Sequence, residues 1–314
     1  MSVPILSLHH VTATVDGAQD DLDFFRGLLG MRLVKQTVNF DNHHVYHFYY
    51  GDARGRPGTL FTTFPYRGHG VPFGRHGTGQ VSATALSIGA GTLGRWREHV
   101  QAGNARVVAD GERFGAPFLL AVDPSGLAIE LIEAADDPRE PWIAPGIDRA
   151  MAVRGLHSVT MLVRAATPTI HFLTEQLGYR VLAEDGDRTR LGVGACGPGQ
   201  CVDVMHAPRE APGVNGVGTV HHVAMAIGTD EEQLTARESL LAAGAAVTPV
   251  RDRQYFRSIY FREPGGVLYE IATLAPGFAV DEDPAALGRA LKLPPWEEPY
   301  RRDIEAGLAP IHLS

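Results

Sequence analysis

The chain has 314 residues, 44% of them apolar, 20% charged and 8% aromatic, the composition of a folded globular protein with room for two compact domains. A formal charge of −8 without a concentrated basic stretch argues against a nucleic-acid partner. No apolar run approaches the roughly 20 residues that cross a bilayer, and the opening MSVPILSLHH lacks the basic start and apolar core of a secretory signal. The expectation is therefore a cytoplasmic protein with no membrane partner. Its two cysteines, Cys196 and Cys201, read as unpaired thiols in a reducing compartment, neither a needed staple nor a zinc site.

The first predicted element is a strand over residues 8 to 15, where β-branched residues recur with period two. A helix over 19 to 29 follows, with Leu22, Phe25, Leu28 and Leu29 on one stripe, and Gly30 stands where a left-handed cap is wanted. Strands over 31–38, 44–50 and 59–64, separated by Asp/Gly/Pro turns, complete a βαβββ unit. The same order recurs over about 78–133, 153–206 and 217–273, with helices near 92–102, 167–177 and 231–243.

The recurrence is visible as internal repetition. LHHVT at position 8 and LGMRLV at position 29 return as LHSVT at 156 and LGYRVL at 177, both 148 residues on. DPSGLAIEL at position 123 returns as EPGGVLYEI at 263, 140 residues on. The chain is thus a duplication, with an N-terminal domain over 1–150 and a C-terminal domain over 151–314, each of two units. Proline-rich stretches at 136–146 and 207–213 read as linkers, and the tail after Ala275, with Pro294-Pro295-Trp296, as an extended arm packed on the body.

Four βαβββ units resemble the vicinal oxygen chelate superfamily over nearly the whole chain. That resemblance implies an α+β fold whose units pair into half-open barrels around a metal. The strings LHHVTA at 8–13, YHFYYGD at 46–52, PGTLFTTFP at 57–65 and SIYFREPGGVLYEIAT at 258–273 are similar, in that order, to the hydroquinone-type ring-cleaving dioxygenases.

The metal ligands can be argued from the residues themselves. His10 and His222 are each the second of a His-His pair, at the same point in units one and four; Ser158 and Ala83 replace them in units three and two. A ligand kept in two units and lost in two is what one working site and one decayed site would leave. Side-chain alternation predicts that His9 and His10 face opposite sides of the sheet. Glu270 interrupts an apolar strand, and a buried carboxylate needs a partner, for which a cation is strongest. Its repeat mate Glu130 shares a pocket with Ser158 and Ala83 and reads as structural or as a relic.

Two imidazoles and one carboxylate leave coordination positions open, the facial triad of non-haem Fe(II) oxygenases. The resemblance implies the same ligands, with O2 as co-substrate and a small aromatic diol, of hydroquinone or catechol type, as the molecule cleaved; Mn(II) shares the ligand preference. It also implies His9, Thr12, His221 and Tyr260 around the metal, together with an arginine for which Arg253 is preferred over Arg257. Two alternatives stand beside this one. A glyoxalase-like isomerase or lyase would want a fourth protein ligand, and a binding or resistance protein would need no intact triad. Exposed strand edges make a homodimer the expected assembly.

Overall fold

A computed structural model describes residues 3–313. Unit one comprises β1 (Ser7–Val15), α1 (Ala18–Leu22), β2 (Arg32–Asn39), β3 (Asn42–Gly51) and β4 (Leu60–Pro65). Unit two comprises β5 (Gln80–Ile88), α2 (Leu93–Ala102), β6 (Arg106–Arg113), β7 (Ala116–Val122) and β8 (Ala128–Glu133). Unit three comprises β9 (Gly155–Val163), α3 (Ala166–Leu177), β10 (Arg180–Asp185), β11 (Arg188–Gly192) and β12 (Cys201–His206). Unit four comprises β13 (Thr219–Ile227), α4 (Asp230–Ala242), β14 (Arg251–Asp252), β15 (Arg257–Arg262) and β16 (Leu268–Thr273). No helix among the described residues is long and apolar enough to cross a membrane.

The strands form two curled eight-stranded sheets, so the fold is α+β with the units paired as half-barrels. One sheet runs β14-β15-β16-β13-β1-β4-β3-β2, the other β10-β11-β12-β9-β5-β8-β7-β6. Each sheet therefore takes one unit from each half of the chain: the outer units one and four share one, the inner units two and three the other. The expected boundary near residue 150 separates the duplicated halves in sequence, but neither half closes a sheet of its own. The connectors cross in the same sense, since bridges join Phe73 to Val217, Arg75 to Val214 and Thr78 to Pro212.

The expected first helix departs from a regular α-helix. After α1 the chain widens into a π-helical turn over Asp23–Leu28, and the Leu29 amide donates five residues back to the Phe24 carbonyl. The wider turn buries Phe24 as well as the expected Phe25, which stacks on Tyr50 and Phe61. Gly30 and its repeat mate Gly178 take φ of +65° and +71°, a backbone that favours glycine.

Asp21, on α1, is buried beneath this turn and accepts hydrogen bonds from Tyr50 Oη at 2.7 Å and Thr63 Oγ1 at 2.6 Å. Burial pushes its carboxyl up from 3.8 to about 8. The folded chain then holds a proton that the unfolded chain releases, so this group lowers stability as pH rises from about 4 to about 8. Asp21→Asn, neutral at every pH, should gain on the native protein in urea midpoint between pH 5 and pH 8. An unchanged difference at the two pH values would contradict it.

The tail is less extended than expected. It carries a short helix, α5 (Arg301–Gly307), and it covers the edge strand β2, where Gln36 bridges Leu291 and donates to the Gly288 carbonyl at 2.7 Å. Beneath it Lys35, fully buried on β2, donates to Asp281 at 2.6 Å, to Glu282 and to the Phe278 carbonyl. Phe278 in turn packs on Tyr49 and Tyr255.

Candidate metal centre and cavity

His10 on β1, His222 on β13 and Glu270 on β16 converge at the centre of the outer sheet, all buried. His10 Nε2 lies 3.3 Å from His222 Nε2 and 3.4 Å from Glu270 Oε2, while His222 Nε2 lies 2.8 Å from that same oxygen. Three ligand atoms at right angles on bonds of about 2.1 Å stand about 3 Å apart, so the donor set fits one divalent ion on an octahedral face. The other oxygen of Glu270 accepts from Ser258 Oγ, which fixes the carboxylate. Burial pushes the Glu270 carboxyl up, but His10 and His222 outweigh it and hold the group well below its ordinary range.

The unit-one counterpart of Glu270 follows from the register. Glu270 pairs with Ala224 as Thr62 pairs with Thr12, so Thr62 occupies the place a fourth ligand would take. Its hydroxyl contacts Thr12 Oγ1 at 2.8 Å and His47 Nε2 at 3.0 Å.

The expectation that His9 and His10 face opposite sides fails, for a physical reason. The β1–β13 register slips between Leu8 and His10 and again between Thr12 and Ala13, opposite His222 and Val220, so His9 and His221 are the extra residues of two β-bulges. A bulge cancels the alternation and turns both rings of each pair together. His9 Nδ1 lies 2.9 Å from His10 Nδ1, and His221 Nδ1 lies 2.8 Å from His222 Nδ1. Burial, helped by the neighbouring His10 or His222, pushes His9 and His221 each down to about 3, so both stay neutral.

Of the other sequence candidates, Tyr260 stands directly across from Glu270 in the β15–β16 register. Burial and the Glu270 charge raise its hydroxyl, against the pull of Arg253. Arg253 donates from Nε to Tyr260 Oη at 3.0 Å and reaches Asp41 at 3.4 Å. Arg257 is half exposed and pairs with Asp230 at the surface, away from the triad. Thr12 is buried behind Thr62 and does not line the cavity.

That cavity holds about 350 Å³ against the triad, within the usual range for a small-molecule site. Its wall includes residues that sequence reasoning did not single out: His47, Tyr49, Asn39, Asp41, Tyr66, Asn215 and Phe256. The signal for His47 and Tyr49 was present in the strand YHFYYGD, whose alternation puts them on the face opposite the stacked Tyr46 and Phe48. Burial, with His10 and His222 nearby, holds His47 well below its ordinary range.

The inner sheet carries the same geometry with different chemistry. Ser158 and Ala83 stand where His10 and His222 do, and Asp203 stands at the place of Thr62. Glu130 accepts from Arg113 at 2.9 Å; Arg188 and Arg190 hold Asp203 at 3.1 and 2.7 Å. Guanidinium groups thus neutralise the carboxylates there. Arg113 and Arg253 are repeat mates, each 17 residues before its glutamate.

The model of the glyoxalase/bleomycin resistance protein/dioxygenase superfamily matches residues 155–271. A Bacillus subtilis (strain 168) protein named as the ring-cleaving dioxygenase MhqO is 38% identical over 100% of this chain and 99% of its own. The chain belongs to this superfamily. A second superfamily member, the chlorohydroquinone/hydroquinone 1,2-dioxygenase of Sphingobium indicum, is 36% identical over 95% of this chain and 94% of its own. The crystal structure of a B. subtilis dioxygenase superposes with a TM-score of 0.94 at 38% identity, covering 100% of this chain and 99% of that one.

Proposed function

We propose that the protein is a metal-dependent dioxygenase that cleaves the ring of a hydroquinone-type aromatic diol, with Fe(II) held by His10, His222 and Glu270 and O2 as co-substrate. The observation that carries this is the three-ligand site, with Thr62 at the register position where a fourth ligand would stand. A glyoxalase-like isomerase would call for a fourth carboxylate or imidazole at that place, and Thr62, its hydroxyl engaged with Thr12 and His47, offers neither. The name of the Sphingobium indicum relative supports the same substrate class, and that of the B. subtilis relative supports ring cleavage.

When bound, Fe(II) supplies a redox-active centre with open positions for the diol and O2. The protein's residues do the rest. With Nε2 of His10 and His222 committed to the ion, their protons sit on Nδ1 and donate to the neutral Nδ1 atoms of His9 and His221, which fixes both rings. Phe256, tilted 5.2 Å from His10, and Tyr49 supply apolar wall for the ring of the diol. Tyr260, kept protonated by burial and held by Arg253, donates its hydroxyl hydrogen to the oxygen of the diol. Open edges at the exposed β6 and β10 give the route by which a homodimer would form.

The deciding test is O2 uptake by anaerobically Fe(II)-loaded protein with hydroquinone, chlorohydroquinone and catechol, the product followed by absorbance. Uptake fastest with a hydroquinone is expected; no uptake with any of them, at one metal per chain, would overturn the proposal. Within it, Tyr260→Phe should keep its metal and lose on the order of 10² in kcat. Unchanged kcat would remove Tyr260 from the reaction.

A further inference from the structure

A second set of ligand atoms gathers where the C-terminal arm meets the β2–β3 hairpin. The hairpin register runs from Val38 opposite Tyr46 to Asn39 opposite Asn42, so residues 43–45 bulge out of β3. As at His9 and His221, the bulge cancels alternation, and the rings of His43 and His44 meet edge to face with centroids 4.6 Å apart. One ring nitrogen of each and a carboxylate oxygen of Asp303, on α5, all lie within 4.8 Å of one another.

Two details of the cluster point to an ion. His44 Nε2 stands 3.6 Å from Asp303 Oδ2, too far for a hydrogen bond. It is close to the roughly 3.4 Å between two ligands on a tetrahedral ion with bonds of about 2.1 Å. Glu297 holds Nδ1 of His43 at 2.9 Å, the carboxylate–histidine contact that orients ligating imidazoles.

We propose that His43, His44 and Asp303 form a second metal site, for a divalent ion of the zinc type, that fastens α5 to the hairpin. Imidazole and carboxylate donors suit zinc, with water completing the shell. The consequence reaches the cavity, because β3 continues from this bulge to His47 and Tyr49. Phe40 and Asp41, also on the cavity wall, precede it, and Trp296 of the arm packs on Phe40. The proposal does not depend on the reaction assigned to the cavity.

The test is a Zn2+ titration of chelator-stripped full-length protein, with bound metal counted per chain. The native protein should bind two equivalents. Asp303→Asn and the double variant His43→Ala/His44→Ala should each keep one, and Glu270→Ala should keep the other. Asp303 is largely exposed, so its substitution leaves folding intact even if the double variant misfolds. Zn2+ should also raise the Tm of Glu270→Ala by a few degrees and leave that of Glu270→Ala/Asp303→Asn unmoved. A single equivalent in the native protein that Glu270→Ala removes, or two equivalents retained by Asp303→Asn, would overturn the second site.

Discussion

Glu270→Ala and Glu270→Gln should both lose the equivalent of metal held at the triad and fall by more than 100-fold in O2 uptake. Glu270 is the one anionic donor at the triad, and its oxygen lies within 2.8 Å of one imidazole and 3.4 Å of the other. Glutamine keeps the shape and can still accept from Ser258, but it leaves two neutral imidazoles facing a neutral amide. His9→Ala is the calibrating comparison. His9 touches the triad only through Nδ1 of His10, and losing such an outer contact costs about 10- to 100-fold in metal affinity or activity. The ordering of the two effects is the prediction; metal analysis beside oxygen-electrode rates measures it. Full metal and turnover in Glu270→Gln would remove the carboxylate from the site.

The second large effect concerns stability. The double variant Asp281→Ala/Glu282→Ala should destabilise the chain by about 3–5 kcal/mol, the usual cost of leaving one partner of a buried ion pair alone. Lys35 has no exposed surface, and both carboxylates that compensate it come from the arm. Its ammonium also lies 5.0 Å over the Tyr255 ring, a weaker compensation that persists in the variant. Lys35→Met, which removes the charge and keeps most of the volume, should cost much less, and adding it to the double variant should restore stability. Urea denaturation of the three proteins decides the matter. Equal losses for Lys35→Met and the double variant would show that packing, not charge, is what the arm contributes.

The triad was legible because duplication made it so. His10 and His222 stood out against Ser158 and Ala83 at equivalent positions, and Glu270 against an apolar strand. The four units and the positions of α2, α3 and α4 could be read from periodicity and turn residues, which are local signals. What escaped was set between strands. The bulges at His9 and His221 are slips of register between β1 and β13, and no periodicity within either strand encodes them. The preference for Arg253 over Arg257 gained its physical reason only from the β14–β15 hairpin, which sets one arginine over Tyr260 and the other on Asp230. The charges that occupy the inner sheet are likewise an arrangement of side chains from β6, β8, β11 and β12, scattered over about 100 residues of sequence.

The pairing of first unit with last has a consequence for how the protein is made. Units two and three adjoin in the chain and can join their sheet as soon as β12 emerges. Unit one, finished at Pro65, pairs β1 with β4 but leaves the other edge of β1 open until unit four arrives with β13 and is completed by β16, some 200 residues later. At synthesis rates of about 5–20 residues per second, that is roughly 10 to 40 s. During that interval the nascent chain carries an unpaired strand edge with His10 on it. The three proposed ligands therefore come together only among the last events of synthesis, after the ribosome has passed Glu270.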